Sequence, residues 1–236
     1  MRPEEALARI RALGFSDGDA RTLFAHFDEA ERRGKAGHGY SRVAWLETQK
    51  FDPTARPRRL AAERWDGNGA LGYLTLAAIV DDLLVDPPDP ARVVVASRCF
   101  PTGMLGHYVR RLADGGLVAA LTATSPARLA HPEGGPALVG TNPLAIAVPG
   151  GIVVDVSMGK VTYGDVIRGA AAEDDLVPFG GEQAYKAFAL ALGLQLLVDA
   201  LAGPEHGAIL VVARPEHDPV PELRERAAGR RLPGDA

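Results

Sequence analysis

The chain is expected to fold as an α/β protein with a mixed sheet and an N-terminal helical segment. The stretch before Pro53 has helical periodicity and two helix-stopping glycines, Gly14 and Gly34. Beyond it, valine- and alanine-rich runs alternate with amphipathic stretches, the pattern of a sheet covered by helices. No G-x-G-x-x-G run follows a strand and opens a helix, which sets the fold apart from the Rossmann type. DGNGALG (66–72) has the glycines but lacks the second strand and the acidic residue at the required distance, and it reads as a turn.

In chain order, Leu7, Ile10 and Leu13 fall on one face of a helix over 3–13. Ser16 or Asp17 caps a second helix that runs to about Arg33, with Leu23, Phe24 and Phe27 as its buried stripe. A third helix is expected from Arg42 to Lys50, ended by Pro53 and Pro57. LAAERWDGNGALGY reads as a strand-like piece, a glycine turn and the start of a helix over 72–84. ARVVVAS (91–97), LVAALTA (117–123) and AILVVA (208–213) read as buried strands, and HYVRRLADGG (107–116) as a helix closed by glycines. PARLAHPEGGPALVGTNP is expected to be loop. LAIAVP and IVVDV are expected to pair across a Gly150-Gly151 turn. A long apolar helix is expected from Ala184 to Leu201, and the tail from Pro215 is expected to be loosely attached. This divides the chain into an N-terminal helical segment, 1–64, and an α/β core with a polar tail, 65–236.

Composition excludes several classes. A net charge of −4 gives no electrostatic case for nucleic acid or for an anionic membrane. Cys99 is the single cysteine, so no internal disulfide forms and a reducing cytoplasm is the expected location. The amphipathic start lacks the apolar core of a secretory signal. The longest apolar run, 187–201, is interrupted by Gln195 and Asp199 and is expected to be too short for a membrane span. The six histidines are scattered without ligand spacing, so no metal site is expected.

Three stretches carry candidate chemistry. In GKAGHGYSR (34–42), His38 lies between glycines and Arg42 follows four residues on. Imidazole exchanges protons near neutrality and guanidinium forks onto a carboxylate, so the two together suit a small oxo acid. A helix stop followed by an exposed His and Arg is the plainer reading. In VGTNPLAIAVP (139–149), Pro143 favours an extended Asn142, and Thr141 and Asn142 then aim polar groups from a loop before a strand. An ordinary Asn-Pro turn explains the same residues. In PFGGEQAYKAFALAL (178–192), Lys186 lies near the positive end of a helix, where a bound anion or a carboxylate would offset its charge. Snorkelling at a core rim is the alternative.

Taken in order, AERRGKAGHGYSR, VGTNPLAIAVP, VVDVSMGKVTYGDV and PFGGEQAYKAFALAL resemble the type 2 malate/lactate dehydrogenases. That family includes sulfolactate and ureidoglycolate dehydrogenases, diketogulonate reductases and piperideine-carboxylate reductases. The resemblance runs from about Leu13 to Leu201 and implies the sulfolactate-dehydrogenase-like mixed-sheet fold. It implies a homodimer with active sites at the subunit interface, and hydride transfer between NAD or NADP and C2 of a small 2-oxo acid or cyclic imine acid. It makes His38 the proton donor, Arg42 the receiver of the substrate carboxylate and Asn142 a group that fixes the carbonyl or the nicotinamide amide. Thr141, Asp155, Ser157 and Lys186 would be cofactor-side contacts. The chain departs from the pattern at Gly37, where the family has serine, and at Pro101, where it has histidine. Met158 and Gly159 replace a threonine and a serine, and the stretch between Gly169 and Pro178 is short.

Two activities follow. One is a compact, biosynthetic NAD(P)H-dependent reductase. The other is a nicotinamide-independent isomerase, cyclase or lyase that keeps His38 as acid/base after loss of the cofactor. A non-catalytic binding subunit is a third possibility.

Overall fold

The computed structural model describes residues 1–235. The N-terminal periodicity becomes a layer of three helices, α1 (Pro3–Ala12), α2 (Asp17–Arg32) and α3 (Ser41–Leu46). Ser16 Oγ accepts the backbone N–H of Asp19 at 3.2 Å, satisfying one of the amides left free at a helix start. Gly34, with φ 72°, closes α2 in a conformation that a Cβ disfavours. Ile10, Leu23, Phe27, Val43 and Leu46 bury against one another. Leu71, Tyr73 and Leu74, around the start of α4 (Gly72–Val85), complete this cluster. The third helix is shorter than the expected 42–50. Thr48 donates both its N–H (3.0 Å) and its Oγ1 hydroxyl (2.7 Å) to the Trp45 carbonyl, and this local bonding replaces the helical ladder.

The main sheet contains β1 (Arg58–Ala61), β2 (Arg64–Asp66), β3 (Ala91–Ser97), β4 (Val118–Ala123), β7 (Leu144–Val148), β8 (Ile152–Val156) and β9 (Gly207–Ala213), in the order β1-β2-β3-β9-β4-β7-β8. Only β2 and β3 run parallel, so the sheet is mixed, as the sequence predicts. The last strand, β9, inserts at the centre between β3 and β4. One sheet face packs Val94, Leu121, Leu210 and Val212 against α4 and against α5 (Gly106–Asp114). Cys99 is sealed near this face, and burial pushes its thiol up to about 12, so it is not a nucleophile at neutral pH.

The opposite face carries α7 (Ala184–Ala202), whose Val198 covers Val95 and Ile209. Ala187, Phe188, Ala191 and Val198 are its buried residues. Leu190, Leu196, Leu197 and Leu201 are 54%, 60%, 48% and 42% exposed. The long apolar helix expected over 184–201 forms, and it is buried along one side only. The expectation about span length is corrected. Gly181–Ala202 is 22 residues long and apolar enough, by length and composition, to cross a membrane. Gln195 and Asp199 interrupt the run in sequence, but they lie one turn apart on one side of the helix and bond to each other at 3.0 Å.

Two further expectations change. The stretch read as loop contains β5 (Leu129–Ala130) and β6 (Ala137–Val139), which pair as a small flap. Leu129 and Val139 bury against Met158 and Phe188, a tertiary contact that no local pattern announces. The tail is not loose. It forms α8 (Val220–Ala227) and folds back on the β7–β8 turn, where Arg224 Nη2 donates to the Gly150 carbonyl at 3.1 Å. The Val153 N–H donates to the Pro233 carbonyl at 3.0 Å.

Candidate active site

A cleft of about 580 Å³ opens between the helical layer and one end of the sheet. The bend between α2 and α3 forms one wall. Gly37 and Gly39 are required there for space rather than for an unusual backbone angle. A Cβ on Gly39 would meet Glu31 Oε2 at 1.9 Å, and one on Gly37 would meet Asp165 Oδ1 at 2.9 Å. The Glu31 carboxylate accepts the Tyr40 N–H at 3.0 Å, and the Ser41 hydroxyl donates to the Ala36 carbonyl at 2.8 Å. These bonds fix the bend without help from solvent.

His38 and Arg42 both line the cleft. Arg42 is buried, its Nε donates to the Gly37 carbonyl at 2.9 Å, and its guanidinium lies 5.3 Å from the Trp45 ring centroid. Its terminal nitrogens have no carboxylate partner among the described residues. His38 is partly buried, and its Nδ1 is sealed without a partner among the described residues. Desolvation, then the charges of Arg42 and Lys35, outweigh the pull of Asp165 and push the imidazole down to about 3. His38 is therefore neutral at physiological pH.

The opposite wall comes from segments distant in sequence. Thr124, Ser125 and Arg128 follow β4, Thr141 precedes β7, and Asp155 and Ser157 lie at the end of β8. Ser125 Oγ is buried with no partner among the described residues. The Arg128 guanidinium stacks 3.3 Å from the Tyr163 ring centroid, and it too lacks a carboxylate among the described residues. Tyr163 opens α6 (Tyr163–Ile167), whose capping box joins Thr162 and Asp165. Asp155 spans the two walls: Lys35 Nζ donates to its carbonyl at 3.0 Å and reaches its carboxylate at 3.3 Å.

The structure thus brings His38, Arg42, Thr141, Asp155 and Ser157 to one cleft. It places Asn142 and Lys186 elsewhere. Asn142 is fully buried, at φ 28° rather than extended, and anchors α7. Its Nδ2 donates to the Ala191 carbonyl and to Gln195 Oε1, both at 2.9 Å, and its Oδ1 accepts the Ser125 N–H at 3.3 Å. Its polar groups are already occupied, which corrects the expectation that it addresses substrate. Lys186 is exposed on α7 outside the cleft, where its ammonium donates to Gln183 Oε1. Tyr73, Ser125 and Arg128 were not singled out from sequence. Tyr73 falls on a helical apolar stripe, and the other two lie in a segment that reads as loop.

Behind the site, His26 Nε2 accepts the Met104 N–H at 3.0 Å and packs against His107, with ring centroids 4.8 Å apart. His107 Nδ1 bonds Glu29 at 2.7 Å. Burial works to raise the Glu29 carboxyl, but hydrogen bonds from His107 and Arg33 hold it at about 2.

These features define a class: a mixed-sheet α/β protein with one cleft that holds a neutral imidazole and a guanidinium without a carboxylate partner among the described residues. The sequence profile of the malate/L-lactate dehydrogenases matches residues 4–176, and the chain belongs to that family. It is 30% identical to the (2R)-3-sulfolactate dehydrogenase (NADP(+)) of Chromohalobacter salexigens, over 86% of this chain and 71% of that protein. It is 28% identical to the 2,3-diketo-L-gulonate reductase of Citrobacter koseri, over 75% of this chain but only 57% of the relative's length. Among solved structures, the delta1-piperideine-2-carboxylate reductase of Pseudomonas syringae pvar. tomato superposes with a TM-score of 0.81 at 24% identity, covering 99% of this chain and 89% of that one. The sulfolactate dehydrogenase of Methanocaldococcus jannaschii gives 0.77 at 17% identity, covering 99% and 86%. The fold is of the sulfolactate-dehydrogenase-like type.

Proposed function

We propose that the chain is an NAD(P)H-dependent oxidoreductase acting at C2 of a small 2-oxo or 2-hydroxy acid, or of a cyclic imine carboxylate. The observation that carries this is the convergence of His38 and Arg42 on one cleft, each without an acidic protein partner. Arg42 receives the substrate carboxylate through its free terminal nitrogens. The bound carboxylate then offsets the Arg42 charge, one of the causes that hold His38 down, and so raises the affinity of His38 for a proton. In reduction His38 delivers that proton to the C2 oxygen or imine nitrogen. In oxidation the neutral imidazole accepts it from the hydroxyl.

The residues present fit a nicotinamide nucleotide. Ser125 Oγ is an orphaned polar atom suited to an amide, and Arg128 is an uncommitted cation suited to a phosphate. Thr124, Ser125, Thr141, Ser157 and Arg128 would hold the cofactor, which supplies or takes up the hydride at C2 when bound. The charges that remain after the Lys35–Asp155 pair also favour an anion.

We further infer that the chain forms a homodimer. The outer leucines of α7 continue into an open sheet row, Val93, Val211 and Ile146, which are 47%, 43% and 39% exposed and in register across β3, β9, β4 and β7. A continuous apolar face of this kind is characteristic of an interface. One side of α7 is committed to the sheet, which favours a protein partner over a membrane.

Titration of NADH and of NADPH by fluorescence tests the cofactor reading. Saturable quenching or enhancement with one of them is expected, on a sample that light scattering shows to be dimeric. No change with either cofactor would overturn it. The alternative, cofactor-free acid/base chemistry at His38, is favoured by the absence of Asn142 and Lys186 from the cleft. It predicts His38-dependent turnover without nicotinamide.

A further inference from the structure

Three tyrosines lie in or beside the helical layer, and their hydroxyls are treated differently. Tyr40 donates to Asp28 at 2.5 Å and Tyr108 to the Thr102 carbonyl at 3.0 Å. Tyr73 is 2% exposed, yet its hydroxyl has no partner among the described residues, and it is the one of the three that lines the cleft. A buried hydroxyl left unsatisfied destabilises the fold, so its retention calls for a partner from outside the chain.

The geometry around Tyr73 fixes the ring. Gly72 lets the first turn of α4 press on the 99–101 segment, where a Cβ would meet the Phe100 nitrogen and the Pro101 carbonyl at 2.8 Å. Gly103 lets the ring edge approach so closely that a Cβ there would lie 2.4 Å from Tyr73 Cε1. His26 and Phe27 pack against the ring edge-on, with centroids 5.0 and 5.2 Å away. The phenol therefore cannot swing away to find another acceptor. Arg42 and Tyr73 line the same cleft. Burial raises the phenol above its ordinary pKa, so it stays a donor at neutral pH.

We propose that Tyr73 is a specificity-determining residue: its hydroxyl donates a hydrogen bond to an oxygen of the bound acid, favouring acids that carry an acceptor oxygen next to the carboxylate held by Arg42. This rests on the reading of the cleft as a 2-oxo-acid site. No covalent step is involved, and His38 remains the group that moves the proton.

The test uses the full chain with oxalate, a two-carbon probe bearing oxygens on both carbons, and propionate, a carboxylate with none on its second carbon. Binding is read by thermal shift and calorimetry for the wild type, Tyr73→Phe and Arg42→Leu. Without ligand, Tyr73→Phe is expected to melt at or above the wild-type temperature, because its hydroxyl bonds nothing. Its oxalate affinity is expected to fall at least about tenfold, the loss of one hydrogen bond to a charged oxygen. Its cofactor and propionate affinities are expected to be unchanged. Unchanged oxalate affinity, or a lower melting temperature without ligand, overturns the proposal. If Arg42→Leu loses oxalate while Tyr73→Phe keeps it, the Tyr73 role fails and the acid site stands. If the wild type does not bind oxalate, both fail.

Discussion

One wall of the cleft is a single continuous stretch, Gly34–Arg42, while the other is assembled from the ends of β4, β7 and β8. The first wall is held by short-range bonds: Glu31 to Tyr40, Ala36 to Ser41 and Gly37 to Arg42. The second depends on sheet register and on α7, through Asn142. The two walls meet in one direct ion pair, Lys35–Asp155. Substitutions of His38 and Arg42 in the first wall should therefore change chemistry with little effect on folding. Substitutions that support the second should change stability first.

The largest separation is expected at Arg42. Arg42→Leu removes charge-assisted bonds to substrate and should raise KM for a 2-oxo acid about a hundredfold. The melting temperature should stay near wild type, because among the described residues the Arg42 side-chain nitrogens donate only to the Gly37 carbonyl. Steady-state kinetics with a thermal melt check both halves. A collapse in stability together with activity would place Arg42 in the scaffold.

Asn142 should behave in the opposite way. Asn142→Ala breaks two bonds to α7 and one to Ser125 in a fully buried position. A stability loss of about 2–3 kcal/mol in denaturant unfolding is expected. Under folding conditions KM for the acid should change less than in Arg42→Leu. A stable Asn142→Ala protein with a large KM defect would restore Asn142 to the site.

This contrast also explains what was legible in the sequence. His38 and Arg42 could be paired because a single bend sets their separation, and the flanking glycines marked it. The Ser16 cap and the β7–β8 hairpin were legible for the same reason, since each rests on contacts close in sequence, and the valine-rich strands were legible from local composition alone. Tyr73, Ser125 and Arg128 reach the cleft only once the sheet has brought distant loops together. Asn142 and Lys186 were read as ligand contacts because a polar residue beside a proline or a helix start gives no indication of where its hydrogen bonds go. For Asn142 they go to Ala191 and Gln195, both about fifty positions away. The exposed side of α7 was hidden by composition, because a helix apolar all round suggests a core until its packing is known.

The most direct measurement is kcat/KM for NAD(P)H oxidation with a 2-oxo acid, compared between the wild type and His38→Ala on protein shown by fluorescence to bind the cofactor equally well. A fall of about 10²–10⁴-fold, with cofactor affinity and melting temperature preserved, is the predicted result for a proton-transferring imidazole. Turnover that survives in His38→Ala would contradict the assignment of His38 and Arg42 as the acid-binding and proton-transferring pair.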